Sequence, residues 1–179
     1  MKAKLTLSLL GLFVGLNAYS QKFLSDKAVI TFFSSAPIED IDSENTKASS
    51  AFNLETGEVV FSVPISQFQF DKALMQEHFN EKYMESDKYP KSTFAGKLEG
   101  FEDKDGEQDA TAKGKLTIHG ITQDVEIDGK FERTGDRIKM TSSFVVALED
   151  YDIEIPKLLW QNIAEEIDVN IAFEYKKHE

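Results

Sequence analysis

Apolar and polar residues alternate along most of the chain from residue 27 onward. A period of two is the side-chain repeat of a β-strand with one face buried and the other in water. The clearest run sets Val125, Ile127, Gly129 and Phe131 against Asp124, Glu126, Asp128 and Lys130. A second sets Ile167, Val169, Ile171, Phe173 and Tyr175 against Asp168, Asn170, Ala172, Glu174 and Lys176. Strands of similar quality are predicted near 27–35, 46–54, 58–66, 91–100, 109–118 and 136–148, about eight in all. Between them fall Thr56-Gly57, Asp105-Gly106, His119-Gly120 and Thr134-Gly135, residues that tight hairpin turns require. Short links make sequence neighbours antiparallel. The pattern therefore predicts an all-β fold with a short helix, either an up-and-down barrel or a two-sheet sandwich. Pro64 cannot donate to a ladder, so a bulge or a strand end is expected there.

Two segments break the alternation. Residues 71–84 read as a helix, with Met75, Phe79 and Tyr83 at i, i+4 and i+8 on one side. Ile155 to Ile163 is an apolar stretch opened by Pro156 and containing Leu158, Leu159 and Trp160, read as a short helix or lid-like loop. The first twenty residues differ again. Lys2 and Lys4 precede an apolar run from Leu5 to Leu16, and Ala18-Tyr19-Ser20 places small residues where a signal peptidase reads them. The run is too short to span a bilayer comfortably, so residues 1–20 are expected to be a secretory signal peptide cleaved after Ser20. Residues 21–179 are then one domain.

Charge narrows the partners. The whole chain carries −12, and loss of the first twenty residues, with two lysines and no acid, leaves −14 (18 Lys+Arg against 32 Asp+Glu). So acidic a surface repels phosphate backbones and anionic lipid headgroups, which excludes nucleic acid and argues against docking through a basic patch. There is no cysteine, hence neither a disulfide framework nor a lipid-modified cysteine at the cleavage site.

Candidate chemistry is sparse. His78, His119 and His178 are far apart in sequence, and zinc would need widely separated ligands. Glu77-His78 and Glu81 resemble a fragment of a helical metalloprotease motif, but Lys82 stands where its second histidine is needed. Two acidic stretches, Glu39-Asp40-Asp42-Glu44 and Asp103-Asp105-Glu107-Asp109, lack the glycine and terminal glutamate of a calcium loop and read as solvated loops. No nucleophile elbow, phosphate-binding loop or dinucleotide-binding glycine pattern occurs. A hydrolase would have to recruit a serine or His119, and His119-Gly120 is explained by a hairpin turn. No catalytic residue, metal or cofactor is assigned.

What remains is apolar bulk, with 14 Phe against one Trp. Inward parities collect Phe61, Phe131, Phe144, Phe173 and Tyr175, with Val59, Val63, Val125, Ile127, Ile138, Met140 and Val169. An eight-stranded barrel is just wide enough either to fill itself with side chains or to hold one small ligand, and alternation alone leaves both open.

Several stretches resemble the YceI-like family of exported, lipocalin-like, polyisoprenoid-binding proteins. Lys88-Tyr89-Pro90-Lys91-Ser92-Thr93-Phe94 is similar to that family's start of a central strand. Gly114-Lys115-Leu116-Thr117-Ile118-His119-Gly120-Ile121-Thr122 resembles its hairpin, and Met75 to Glu81 stands where relatives have a histidine-containing helix. The likeness covers residues 27–176. It departs at Lys27 to Phe33, where many relatives have an early histidine, and at Ile38-Glu39-Asp40-Ile41, where they have another.

The resemblance implies an eight-stranded antiparallel lipocalin-like β-barrel, exported to the periplasm or secreted, with an isoprenoid or quinone-type lipid in its lumen and no chemistry done on it. The lumen would then be lined by Phe61, Val63, Val125, Ile127, Phe131, Met140, Phe144, Val169 and Phe173, with Met75, Phe79 and Trp160 near its mouth. At roughly 0.8 kcal/mol per buried methylene, ~12 carbons contribute about 10 kcal/mol gross, before the cost of ordering a flexible tail. The competing reading is a stress-related exported barrel with a filled core that works through protein contacts. A homodimer is a further expectation.

Overall fold

The computed structural model describes residues 21–35, 40–155 and 164–178. The expected signal peptide and most of the expected lid, Trp160 included, lie outside the described residues. The strands are β1 (Lys22–Ser34), β2 (Ile41–Asn45), β3 (Ser49–Asn53), β4 (Glu58–Pro64), β5 (Lys91–Glu99), β6 (Gly106–Ile118), β7 (Ile121–Thr134), β8 (Arg137–Ala147) and β9 (Glu166–Lys177). They form one antiparallel sheet in the order β2-β1-β3-β4-β5-β6-β7-β8-β9, closed by pairing of β1 with β9.

β2 and β3 share one edge of β1. β2 pairs with Ile30–Ser34 and β3 with Lys22–Leu24, so together they make one interrupted stave of an eight-stranded barrel. Asn45 marks the break. It is fully buried, donates from Nδ2 to the Pro64 carbonyl at 2.8 Å, and accepts the Lys47 N–H on Oδ1 at 2.8 Å. Side-chain bonds thus replace the ladder where the chain steps between strands.

The predicted strands appear, with β1 starting earlier than expected. β2 is a correction, because Asp42 and Glu44 were read as part of a solvated loop and form a strand instead. Ile41, Ser43 and Asn45 face inward, and the two that are buried, Ser43 and Asn45, are polar, which hid the alternation. Glu107 and Asp109 likewise belong to β6 rather than a loop. Pro64 ends β4, as its missing N–H requires.

The helix is also shorter than its pattern. α1 spans Ala73–His78, and Phe79–Tyr83 then widens into a π-turn in which the Met84 N–H reaches the Phe79 carbonyl at 2.9 Å. The Asn80 amide donates back to the Gln76 carbonyl at 2.8 Å, competing with regular continuation.

One end of the barrel is packed solid. Phe52, Phe131 and Tyr175 are at most 2% exposed, and Phe101 joins them with its ring 4.7 Å from Phe131 and 5.7 Å from Phe52. The Tyr175 hydroxyl meets Ser50 Oγ at 2.8 Å, and Ser50 in turn donates to the Val60 carbonyl, so the buried polar atoms are satisfied. This aromatic floor lies at the start of β1 and the end of β9.

Candidate functional site

Above the floor the inward faces do not meet. They surround a cavity of about 350 Å³ that extends to the opposite end, where α1, the π-turn and the 148–151 turn sit. Its wall is almost wholly aliphatic and aromatic, so a bound apolar group exchanges water for hydrocarbon contacts. A filled lumen, the other outcome that alternation allowed, is found only in the floor.

Most of the lumen residues named from sequence come together here. Phe61, Val63, Ile127, Met140, Phe144, Val169 and Phe173 all line the cavity, and Met75 and Phe79 line it from the helical segment. The Phe61 ring stands edge-on to Phe173 at 4.8 Å between centroids. Two residues fall elsewhere. Phe131 belongs to the floor cluster and is fully buried below the cavity. Val125 packs against the core on β7 without lining the cavity. Trp160 lies outside the described residues.

Sequence reasoning missed an aromatic cage at the mouth. Phe79 stacks on Phe32 at 5.5 Å and also meets Phe68 at 5.5 Å and Phe70 at 5.0 Å. Phe68 and Phe70 flank Gln69, whose backbone exchanges hydrogen bonds with Glu44 at 2.8 and 3.1 Å, fixing both rings on the inner side. The signal was present as Phe-Gln-Phe, alternation too short to be taken for a strand.

His78 lines the cavity at this end, whereas the polar residues around the β6–β7 turn are structural in their contacts. His119 has φ +50° and Gly120 φ +80°, the left-handed pair of a two-residue hairpin. The His119 ring nitrogens lie 3.2 Å from the Tyr151 carbonyl and 3.0 Å from Glu85 Oε2, tying the β6–β7 turn to two neighbouring loops. Tyr89 stands edge-on to that ring at 4.6 Å and crowds Gly120 so closely that a Cβ there would strike it. Among the described residues no three histidine, aspartate or glutamate side chains are grouped to hold a metal ion. No helix among them is long and apolar enough to cross a membrane.

The matches to known proteins follow this architecture. The family model of the YceI-like domain fits residues 22–175, the whole ring from β1 to the floor residue Tyr175. The chain belongs to the YceI-like family. Several solved structures share the barrel. A polyisoprenoid binding domain from Saccharophagus degradans, implicated in plant cell wall breakdown, has a TM-score of 0.76 and 13% identity, covering 87% of this chain and 98% of its own. BcnA of Burkholderia cenocepacia has a TM-score of 0.70 at 14% identity, with 82% and 95% covered. The YceI protein of Campylobacter jejuni has a TM-score of 0.58 at 14% identity, with 100% and 94% covered. At such identities these likenesses speak for the YceI-like fold alone. No curated protein matches the chain.

Proposed function

We propose that this YceI-like barrel is an exported carrier or buffer that holds an isoprenoid or quinone-type lipid in its lumen and does no chemistry on it. The observation that carries the reading is the apolar cavity of about 350 Å³, closed below by the aromatic floor and rimmed above by the phenylalanine cage. A structural neighbour described as a polyisoprenoid binding domain supports the same class of ligand. At roughly 0.8 kcal/mol per methylene, a tail filling such a space binds through area alone, so the wall needs shape and apolarity rather than a polar constellation. Export rests on the signal-peptide pattern of residues 1–20, with cleavage after Ser20.

Native mass spectrometry of the mature protein from its own host, followed by organic extraction, tests this. A discrete adduct that extracts as an isoprenoid is the expected result. A clean protein mass that also takes up no added polyprenol or quinone would sink the proposal.

A further inference from the structure

Two long neighbours in the barrel wall part company. β7 pairs with β6 from Ile121 to Arg133, and β8 pairs with β9 from Arg137 to Ala147. Yet β7 and β8 share five rungs, from Thr134–Arg137 to Lys130–Thr141. Beyond that fork, strand geometry aims the backbone N–H and C=O groups of Asp128, Glu126 and Asp124 toward β8, and those of Ser143, Val145 and Ala147 toward β7. No ladder joins them. Side chains pin the two ends of the seam. Ser142 Oγ donates to the Asp128 carbonyl at the fork, and Gln123 Nε2 donates to the Asp150 carbonyl at 2.7 Å near the mouth.

The wall is thin where the seam begins. Gly129 and Ser142 are the small members of the inward rows Phe131-Gly129-Ile127 and Met140-Ser142-Phe144. The cavity there reaches Lys130 and Thr141, an outward-facing pair. A shallow groove on the outer face is bordered by the same Gly129, Lys130, Thr141 and Ser142, and continues to Asp128, Ser143 and Asn170. Apolar lumen and polar exterior meet across one layer of small side chains, beside backbone donors and acceptors that no β7–β8 ladder takes up among the described residues.

We infer that this seam is the headgroup site, where the polar end of the bound lipid leaves the lumen through the wall. The inference rests on the lipid-binding reading and adds the head's place and chemistry. The head is an uncharged hydrogen-bonding group such as an alcohol, amide or carbonyl. The rim carries the carboxylates of Asp124, Glu126 and Asp128, while the nearby cations are engaged: Lys115 with Asp124 at 2.9 Å, Lys113 with Glu126 at 3.3 Å and Lys130 with Asp109 at 2.7 Å. A phosphate would face carboxylates whose cations are already paired. A neutral head meets backbone N–H and C=O groups that lie outside the β7–β8 ladder instead.

The absence of cysteine makes the test direct. Ser143→Cys places a single thiol on the seam, and Leu74→Cys places one on α1 at the mouth, where Leu74 is exposed. Each is labelled with a nitroxide, and geranylgeraniol carrying ¹³C at C1 is added. Broadening of the bound C1 resonance several-fold stronger from position 143 than from position 74 is expected. Asn170→Cys, one strand away, gives the same reading should a label at 143 obstruct the seam. Geranylgeranyl phosphate is expected to bind at least about tenfold more weakly than the alcohol. Stronger broadening from position 74, or equal broadening from both, overturns the seam while leaving lipid binding intact. No bound signal with the unsubstituted protein overturns the lipid reading and the seam together.

Discussion

Phe144 and Phe131 look alike in sequence, both aromatic and both on inward parities, but they carry different loads. Phe144 is half-buried and lines the cavity, so Phe144→Asp is expected to abolish uptake of geranylgeraniol while the circular dichroism of the barrel is kept. Phe131 is sealed in the floor, so Phe131→Ala is expected to cost about 3–5 kcal/mol in urea unfolding, the usual range for emptying a buried aromatic site. Loss of uptake by the first with loss of the fold would remove the distinction. Tyr175 shows the same burial through its acidity. Desolvation pushes its phenol well above the ordinary value near 10.0, and the Ser50 hydrogen bond offsets only part of that. The folded protein therefore holds this proton where the unfolded chain has lost it, and stability falls as pH rises above about 10. Among the five tyrosines, at least this one is expected to resist ionisation until alkaline unfolding, read as a cooperative rise in phenolate absorbance.

Elements meet most delicately where the barrel closes. β1 joins β9 across an irregularity between Ser25 and Lys27, and the bulged Asp26 points out to Arg137 on β8. The pair is bidentate, at 2.7 and 3.2 Å, and Arg137 also reaches Glu174 on β9 at 3.2 Å. The Arg137 hydrogen bond holds the Asp26 carboxyl below its usual range, despite an opposing desolvation effect. A lowered carboxyl stabilises the fold above the ordinary aspartate range and loses that contribution as pH falls through the folded-state value. Arg137→Met is thus expected to be less stable than the unsubstituted barrel at pH 7, with the gap closing in acid; a gap constant down to pH 2 would show that the pair is not its source. Such long-range closure is not legible in a sequence, because Asp26 and Arg137 are 111 residues apart. The strands that alternate cleanly, β7 and β9 above all, could be read directly. β2 could not, since its buried face is Ser43 and Asn45, and the helix was overread because its 71–84 pattern describes one side of a segment that changes from α to π at Phe79. The lumen parity was legible on β4, β8 and β9, while the division into floor and cavity, which set Phe131 apart from Phe173, depends on how eight inward faces fill one cross-section.

At the scale of the molecule, a solid floor and an open upper half set a length on what the lumen holds. A cavity of about 350 Å³ takes on the order of a dozen carbon-sized groups at roughly 30 Å³ each. Within that length each added methylene is worth up to ~0.8 kcal/mol; beyond it the chain runs out into water and adds little. Across the isoprenoid alcohols, affinity is therefore expected to climb steeply from five carbons to between ten and fifteen and then to flatten, as measured by competition against a fluorescent fatty probe. The same ligands bind the folded barrel and not the unfolded chain, so at a hundredfold excess over the dissociation constant they add about 2.7 kcal/mol of stability. For a chain of this size that corresponds to a rise of roughly 5–10 °C in the unfolding midpoint. Phe144→Asp should remove the thermal shift for the whole series, because it places a carboxylate in the wall that every tail must contact. Affinity that kept rising steadily through twenty carbons would mean that the floor yields, and the clustered rings of Phe52, Phe101, Phe131 and Tyr175 would then be a second compartment rather than a stop.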